Sequence, residues 1–327
     1  HCKPYGRLHV NLDESDELGT FIFRTTGFNS IRTLAARLAY YHAASGGLLS
    51  CLPLQLTLRG KSTTQSYRQP VYYVDLTLRD GVNLQQAINT ARQMDEQSKA
   101  QIDVIYDEDE NLSMDVFSPG PYVEATVVFV HGGFWTDYEK SIFSYLAMGP
   151  VLNNMRVIIP TLPKCPDVTI PEINKSFLKC LRVVCRRFTG DILLVGQQSG
   201  AHVIGRSIVK GELSESILER IKHVMLLSPI SDLKPLLYTK MKENLHLTEE
   251  IATAETLYNL DLADKAKVTI WVGADERPIY LEQAQQLATA WRCAWVKSRN
   301  RHHLDIADGL GKNTSKLMNT LMAYRFK

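Results

Sequence analysis

Leu193-Leu194-Val195-Gly196-Gln197-Gln198-Ser199-Gly200-Ala201-His202 decides the fold of this chain. An uncharged apolar run stops at Gly196, turns through two polar residues and re-emerges at Gly200 as the start of a helical pattern. The arrangement is Gly-x-apex-x-Gly. Small residues flank such a turn because its apex is strained and projects one side chain off the end of a sheet. The apex is the place for a nucleophile, and here it is Gln198. A carboxamide is not a nucleophile. Ser199 is the alternative, but shifting the turn by one residue sets the large Gln197 side chain two before the apex, where it collides with the turn. The shift also removes the oxyanion N–H supplied by the residue after the nucleophile.

The same alternation of strand and helix continues on both sides of this turn. Strands are expected at Gln101–Ile105, Ser113–Phe117, Thr126–Val130, Arg156–Pro160, Ile192–Val195, His223–Leu227, Val268–Val272 and Cys293–Lys297, with helices at Ile170–Arg187 and Tyr280–Trp291. Alternating elements of this kind predict an α/β fold with a mostly parallel central sheet covered on both faces. The uncharged runs Val127–Val130 and Ile192–Val195 suit central strands. Upstream, a helix over Ser30–Ala44 is expected, capped by Asn29 or Ser30 and stopped by Gly46-Gly47. Strands at Leu52–Leu58 and Val71–Leu78 follow, and a polar amphipathic helix begins near Leu84. The expected division is a small α+β region over 1–85 and an α/β domain over 86–327.

Composition is that of a globular protein: 327 residues, 45% hydrophobic, 22% charged, formal net charge +2. No global field favours nucleic acid or an anionic membrane. No apolar run reaches the roughly twenty residues of a membrane span, and no signal peptide is visible. Six cysteines at 2, 51, 165, 180, 185 and 293 form no CxxC pair, so a metal site has no support and reduced thiols in a cytoplasmic setting are expected. Gly60-Lys61-Ser62 resembles the tail of a phosphate loop, but the glycine that pattern requires is Gln55. Arg59, Lys61, Tyr67 and Arg68 make a small basic and aromatic patch that, in a near-neutral chain, fits a solvated hairpin tip better than a nucleic-acid surface.

Three features fall at expected strand ends, where open α/β sheets bind ligands. His131-Gly132-Gly133-Phe134-Trp135 follows an apolar strand, and an HGG turn frees backbone N–H groups to hold an oxyanion. The elbow is the second. Asp275-Glu276 and then His302-His303 supply an acid and a base after it, which is the chain order of the α/β hydrolases. The acid orients the imidazole and stabilises its charged form.

From about Ala91 onward the chain resembles the kynurenine formamidase (arylformamidase) family. The resemblance rests on Leu112–Pro119, His131–Trp135 with Glu139-Lys140-Ser141, Gly196–His202, Ser228–Leu236, Gly273–Pro278 and His303–Ile306. It implies an α/β-hydrolase fold, hydrolysis of N-formylkynurenine or a similar aryl formamide or ester, and no cofactor. It places the acid at Glu276, with Asp275 as its neighbour, and the base at His303, with His302 as its neighbour. Oxyanion donors would come from Gly132, Gly133, Phe134 and the N–H of Ser199. Phe134, Trp135 and Tyr138 are candidates for an aromatic wall around an aromatic or acyl ligand, or for core. Where this family carries the nucleophilic serine, this chain has Gln198, which implies impaired turnover. The first part of the chain, through Phe23–Leu38 and Leu58–Ser66, resembles phage and plasmid proteins of the recombination-directionality-factor-like kind. That resemblance makes a DNA-associated, mobile-element role through residues 1–85 the reading outside the enzyme class.

Overall fold

The computed structural model describes residues 6–11, 20–46, 48–49, 52–62, 69–98, 100–120 and 122–323. Asp13–Glu17, Tyr67, Arg68, Cys2 and Cys51 lie outside the described residues. The chain forms two compact units, 1–98 and 99–327.

The first unit contains β1 (Gly6–Asn11) paired antiparallel with β2 (Thr20–Thr25), then α1 (Phe28–Ser45). An antiparallel pair β3 (Leu54–Ser62) and β4 (Pro70–Leu78) follows, and then α2 (Leu84–Ser98). Its core is Leu34, Tyr41, Leu52, Leu76, Ala87, Ile88 and Ala91. Ala87, Ile88 and Ala91 lie on α2, so this helix belongs wholly to the first unit, and the expected boundary at 85/86 falls one helix early. Two other expectations are corrected. Helix α1 starts after Gly27 rather than at a side-chain cap, because the Ser30 hydroxyl is taken by the Val74 N–H at 3.0 Å. Arg59 and Lys61 are ladder residues of β3, paired with Tyr73 and Val71, not part of a hairpin tip. Arg59 and Arg37 both bind the buried Asp75 carboxylate, at 2.9 and 3.0 Å, and the Arg37 hydrogen bond, helped by the Leu76 N–H and the two charges, holds it below the usual carboxylate range against the effect of burial. Lys61 reaches Asn29 at 3.3 Å.

The second unit carries β5 (Gln101–Asp107), β6 (Leu112–Phe117), β7 (Ala125–Val130), β8 (Met155–Pro160), β9 (Asp191–Gln197), β10 (Ile221–Leu227), β11 (Val268–Gly273) and β12 (Ala294–Ser298). Around them run α3 (Met148–Val151), α4 (Ile170–Arg187), α5 (Ser199–Ser207), α6 (Glu215–Arg220), α7 (Met241–Asn244), α8 (Glu249–Ala254), α9 (Pro278–Ala290) and α10 (Lys316–Met322). The eight strands form one sheet in the order β12-β11-β10-β9-β7-β8-β6-β5. From β12 to β8 all neighbours are parallel, and β6 and β5 add an antiparallel edge.

Alternation explains the uncharged strands. Val128, Val130, Ile192 and Leu194 face one core, with α4, α5 and α9. Val127, Phe129, Leu193 and Val195 face the other, with Leu146, Leu310 and α10. Both faces are buried, so neither set of positions tolerates a charge. Helix α4 starts where the Glu172 carboxylate accepts from the Thr169 N–H and hydroxyl, at 2.7 and 2.8 Å. Arg186 and Arg187 complement its C-terminal end. The antiparallel edge is fixed by the buried Lys140, whose ammonium binds Asp115 at 2.7 Å and Asp103 at 2.6 Å. Burial pushes that ammonium's pKa down, but the two hydrogen bonds outweigh it and the net shift is upward.

Strand β7 lies between β8 and β9, so the chain leaves it in opposite directions on its two sides. The crevice at the carboxyl ends of β7 and β9 is the topological switch point, where open α/β sheets bind ligands. Gly200 makes this crevice possible: a Cβ there would lie 2.2 Å from the Val130 carbonyl oxygen and 2.4 Å from that of His131. Both obstacles are backbone. Gly200→Ala is expected to destabilise the fold by about 1–3 kcal/mol through overpacking, read as a lower urea midpoint at unchanged m. Lys140→Met leaves the buried Asp115 carboxylate unpaired and is expected to cost about 3–5 kcal/mol in the same assay.

Candidate active site

Five neighbouring strands deliver the site. His131 follows β7, Gln198 follows β9, Ser228 follows β10, Glu276 comes shortly after β11, and His303 comes after β12. Gln198 is the elbow apex, with φ +52° and ψ −113°, a conformation that side-chain-bearing residues rarely adopt. Its N–H donates to the Leu227 carbonyl at 2.8 Å, and its own carbonyl accepts from His202 N–H at 3.1 Å. Neighbouring elements therefore hold the strain in place. Gly196 is required beside it, because a Cβ there would lie 2.6 Å from the Ala201 Cα.

The buried Gln198 side chain folds back into the HGG turn. Its Oε1 accepts from the Gly133 N–H at 2.8 Å and from the Phe134 N–H at 3.1 Å. Both donors belong to residues with positive φ, +119° and +52°, and this backbone turns consecutive N–H groups toward one point. Gly132 keeps that point open: a Cβ on it would stand 3.0 Å from both Cβ and Oε1 of Gln198. His131 anchors the turn from outside. Its Nδ1 donates to the Gly132 carbonyl at 2.6 Å, its ring stacks on Phe143, and burial lowers its pKa.

Glu276 and His303, the expected acid and base, form a hydrogen-bonded carboxylate–imidazole pair. The Nδ1–H of His303 donates to Glu276 Oε2 at 2.8 Å, which leaves Nε2 as the basic nitrogen. The other carboxylate oxygen accepts from the Ser228 hydroxyl at 2.5 Å and the Gly273 N–H at 2.7 Å. The Glu276 side chain is fully buried, with every contact accounted for by a donor. Asp275 and His302 are both exposed and lie outside this pair; His302 Nδ1 instead accepts the Leu304 N–H.

Three contributors carried no assigned role in the sequence reading. Ser228, at φ +46°, braces Glu276; its sequence signals are its place at the end of an apolar strand and at the head of a stretch that carries the resemblance, and neither names this contact. Tyr280 stacks on His303, with ring centroids 4.0 Å apart, and lies beside the Gln198 side chain. Gln197 donates to the His303 carbonyl at 3.3 Å. Neither Tyr280 nor Gln197 has a signal separable from ordinary helix and turn positions.

Ser199 is buried in the first turn of α5 and opens onto a cleft of about 30 Å³ lined by His131, Trp135, Leu162, Ile173 and Val203. Neither Glu276 nor His303 lines that cleft, and among the described residues no hydrogen bond links Ser199 to His303. The aromatic trio divides. Trp135 is core, edge-on to His202 at 5.2 Å; Phe134 is half-buried; Tyr138 is 52% exposed. Among the described residues no cluster of His, Cys, Asp and Glu could hold a metal, and no helix is long and apolar enough to cross a membrane.

His202 locks α5 from below. Its Nε2–H donates to the Glu255 carbonyl at 2.9 Å, and burial pushes its pKa from 6.5 down to about 4. The native ring stays neutral while the unfolded ring takes up a proton, so this contribution is intact above pH 6.5 and is lost progressively toward pH 4. In His202→Gln, urea midpoints are expected to fall less steeply than in the parent across that window.

Comparison with known proteins agrees with this architecture. Residues 1–79 match the Gp3-like family, described as recombination directionality factor-like. The chain is 26% identical to kynurenine formamidase of Danio rerio over 209 residues, covering 60% of this chain and 70% of that protein. It is 24% identical to the Salmo salar kynurenine formamidase over 195 residues, covering 56% and 66%. Among solved structures, a provisionally assigned thioesterase of Silicibacter sp. TM1040 is 34% identical with a TM-score of 0.67, over 69% of this chain and 87% of that one. The native esterase 2 of Thermogutta terrifontis shares the fold at 15% identity and a TM-score of 0.51, over 70% and 91%. With its parallel sheet, its elbow after β9 and these relatives, the chain belongs to the α/β-hydrolase family.

Proposed function

We propose that this chain binds a small aromatic or acyl ligand at a formamidase-like site and does not turn it over efficiently. The observation that carries the reading is the Gln198 carboxamide, which stands at the nucleophile position and whose oxygen takes both Gly133 and Phe134 N–H donors. One side chain thus removes the nucleophile and fills the place where a tetrahedral oxyanion would be held. Around it, Glu276 takes the role of acid and His303 that of base, with Ser228 and Tyr280 as positioning residues. A ligand that presents a carbonyl to the Gly133 and Phe134 donors must first displace the carboxamide. The relatives named kynurenine formamidase supply the chemical class: an aryl formamide such as N-formylkynurenine, or a similar ester. A serine hydrolase acting through Ser199 is the weaker reading, because Ser199 opens onto a cleft lined by neither Glu276 nor His303.

The match of residues 1–79 favours a second role for the first unit, DNA association in a mobile-element setting. Arg37 and Arg59 share the single Asp75 carboxylate, which cancels one of their two charges, so the expected binding is weak. In a titration of the full chain against duplex DNA, affinity should fall linearly on log axes as salt rises; no binding at low salt contradicts this role.

The experiment for the main reading is hydrolysis of N-formylkynurenine and of a p-nitrophenyl ester. The parent and Ser199→Ala are expected to be equally silent, while Gln198→Ser gains about a hundredfold or more in kcat/KM. Parent activity that disappears in Ser199→Ala would contradict the reading.

A further inference from the structure

We propose that the carboxamide of Gln198 is itself a substrate of this site, and that the chain hydrolyses it to a carboxylate, converting residue 198 by self-deamidation. The inference rests on the reading above, that Gln198 occupies an oxyanion hole served by a working acid–base pair.

The geometry supplies a polarised carbonyl, an oriented imidazole and a tethered amide. The Gln198 carbonyl is polarised by two backbone N–H groups at 2.8 and 3.1 Å, the placement that stabilises a developing oxyanion. Tyr280 stacks on His303 with ring centroids 4.0 Å apart and lies beside the Gln198 side chain, so the carboxamide and the imidazole share this neighbour. His303 is held in the competent tautomer by Glu276. The amide is tethered in the site, so no binding step is needed and reaction is effectively unimolecular.

Water is the nucleophile. His303 Nε2 takes a proton from water as its oxygen bonds to Cδ. The tetrahedral oxyanion rests on the Gly133 and Phe134 N–H groups. His303 returns the proton to Nε2 of Gln198, the Cδ–Nε2 bond breaks, and the ammonia takes the proton of the new carboxylic acid and leaves as ammonium. The product is a carboxylate in the hole at the N-terminus of α5, where the helix dipole and two N–H donors favour negative charge. Sites lacking one triad member keep roughly a thousandfold to ten-thousandfold acceleration over water, and that scale sets the expectation here.

The structure also contains its own control. The Gln283 carboxamide accepts two backbone N–H groups, Ser231 at 2.8 Å and Asp232 at 3.2 Å, and is equally buried. No histidine bonds or stacks on Gln283 among the described residues. Holding by two donors is common to both glutamines, and the His303–Glu276 pair is not.

The test is peptide mass spectrometry of the purified full chain aged in heavy-oxygen water at neutral pH. The peptide carrying residue 198 is expected to lose its amide nitrogen and take up one heavy oxygen about a thousandfold faster than the Gln283 peptide. His303→Ala and Glu276→Gln, each checked for an intact urea transition, should bring the two peptides to the same slow rate. Gln198 persisting as an amide at the Gln283 rate overturns the proposal, as does unchanged conversion in the two variants. The substrate assay separates this failure from that of the parent reading. A silent parent with active Gln198→Ser leaves the blocked-site reading standing alone. Ser199-dependent hydrolysis removes both.

Discussion

The approach of β7 to the elbow governs everything chemical in this molecule. The Val130 and His131 carbonyls come close enough to Gly200 that no Cβ fits between, and Gly196 meets Ala201 in the same way. That contact fixes the apex backbone at φ +52° and sets residue 198 directly against the HGG turn. Given the contact, a side chain at 198 has one polar destination. A serine there would present a hydroxyl to substrate. A glutamine is long enough to reach past that point and satisfy the donors itself.

Occupation of the hole is favourable for a plain reason. Two backbone N–H groups in a buried turn need acceptors, and leaving a buried donor unsatisfied costs about 1–3 kcal/mol each. The Gln198 carbonyl supplies the acceptor from within the chain. The same bonds that stabilise the resting protein therefore oppose any ligand that presents a carbonyl, whose apparent affinity is lowered by the fraction of molecules in which the hole is filled. Glu276 and His303 sit outside this competition. Ser228 and Gly273 donate to the Glu276 carboxylate and Tyr280 stacks on the His303 ring, which holds the two in their pairing.

Most of the second unit was legible because both sheet faces are buried, and double burial leaves uncharged runs that need no alternation to be recognised. The elbow and the HGG turn were legible from local pattern; chain order narrowed the acid and base to Asp275-Glu276 and His302-His303, and only the family resemblance singled out Glu276 and His303. Contacts between strand ends distant in sequence were not legible: the Ser228 brace, the Tyr280 stack, and the reach of Gln198 into the hole. Each depends on a distance set by sheet order, which no local pattern records. The first unit was read less well. The expectation of a hairpin tip at Arg59–Arg68 treated charge as a loop signal, whereas Arg59 is held in a strand by its ion pair with the buried Asp75. The α2 boundary failed because an amphipathic helix does not announce which core its apolar face serves.

The central claim is that the Gln198 side chain fills the oxyanion hole, and it is tested most directly by emptying that hole without restoring a nucleophile. Gln198→Gly keeps the positive φ at no steric cost and removes the carboxamide. Calorimetric titration with formanilide should show the variant binding at least about tenfold tighter than the parent, about 1.4 kcal/mol. Equal affinity in the two proteins would mean that the carboxamide does not obstruct the hole, and would contradict the account.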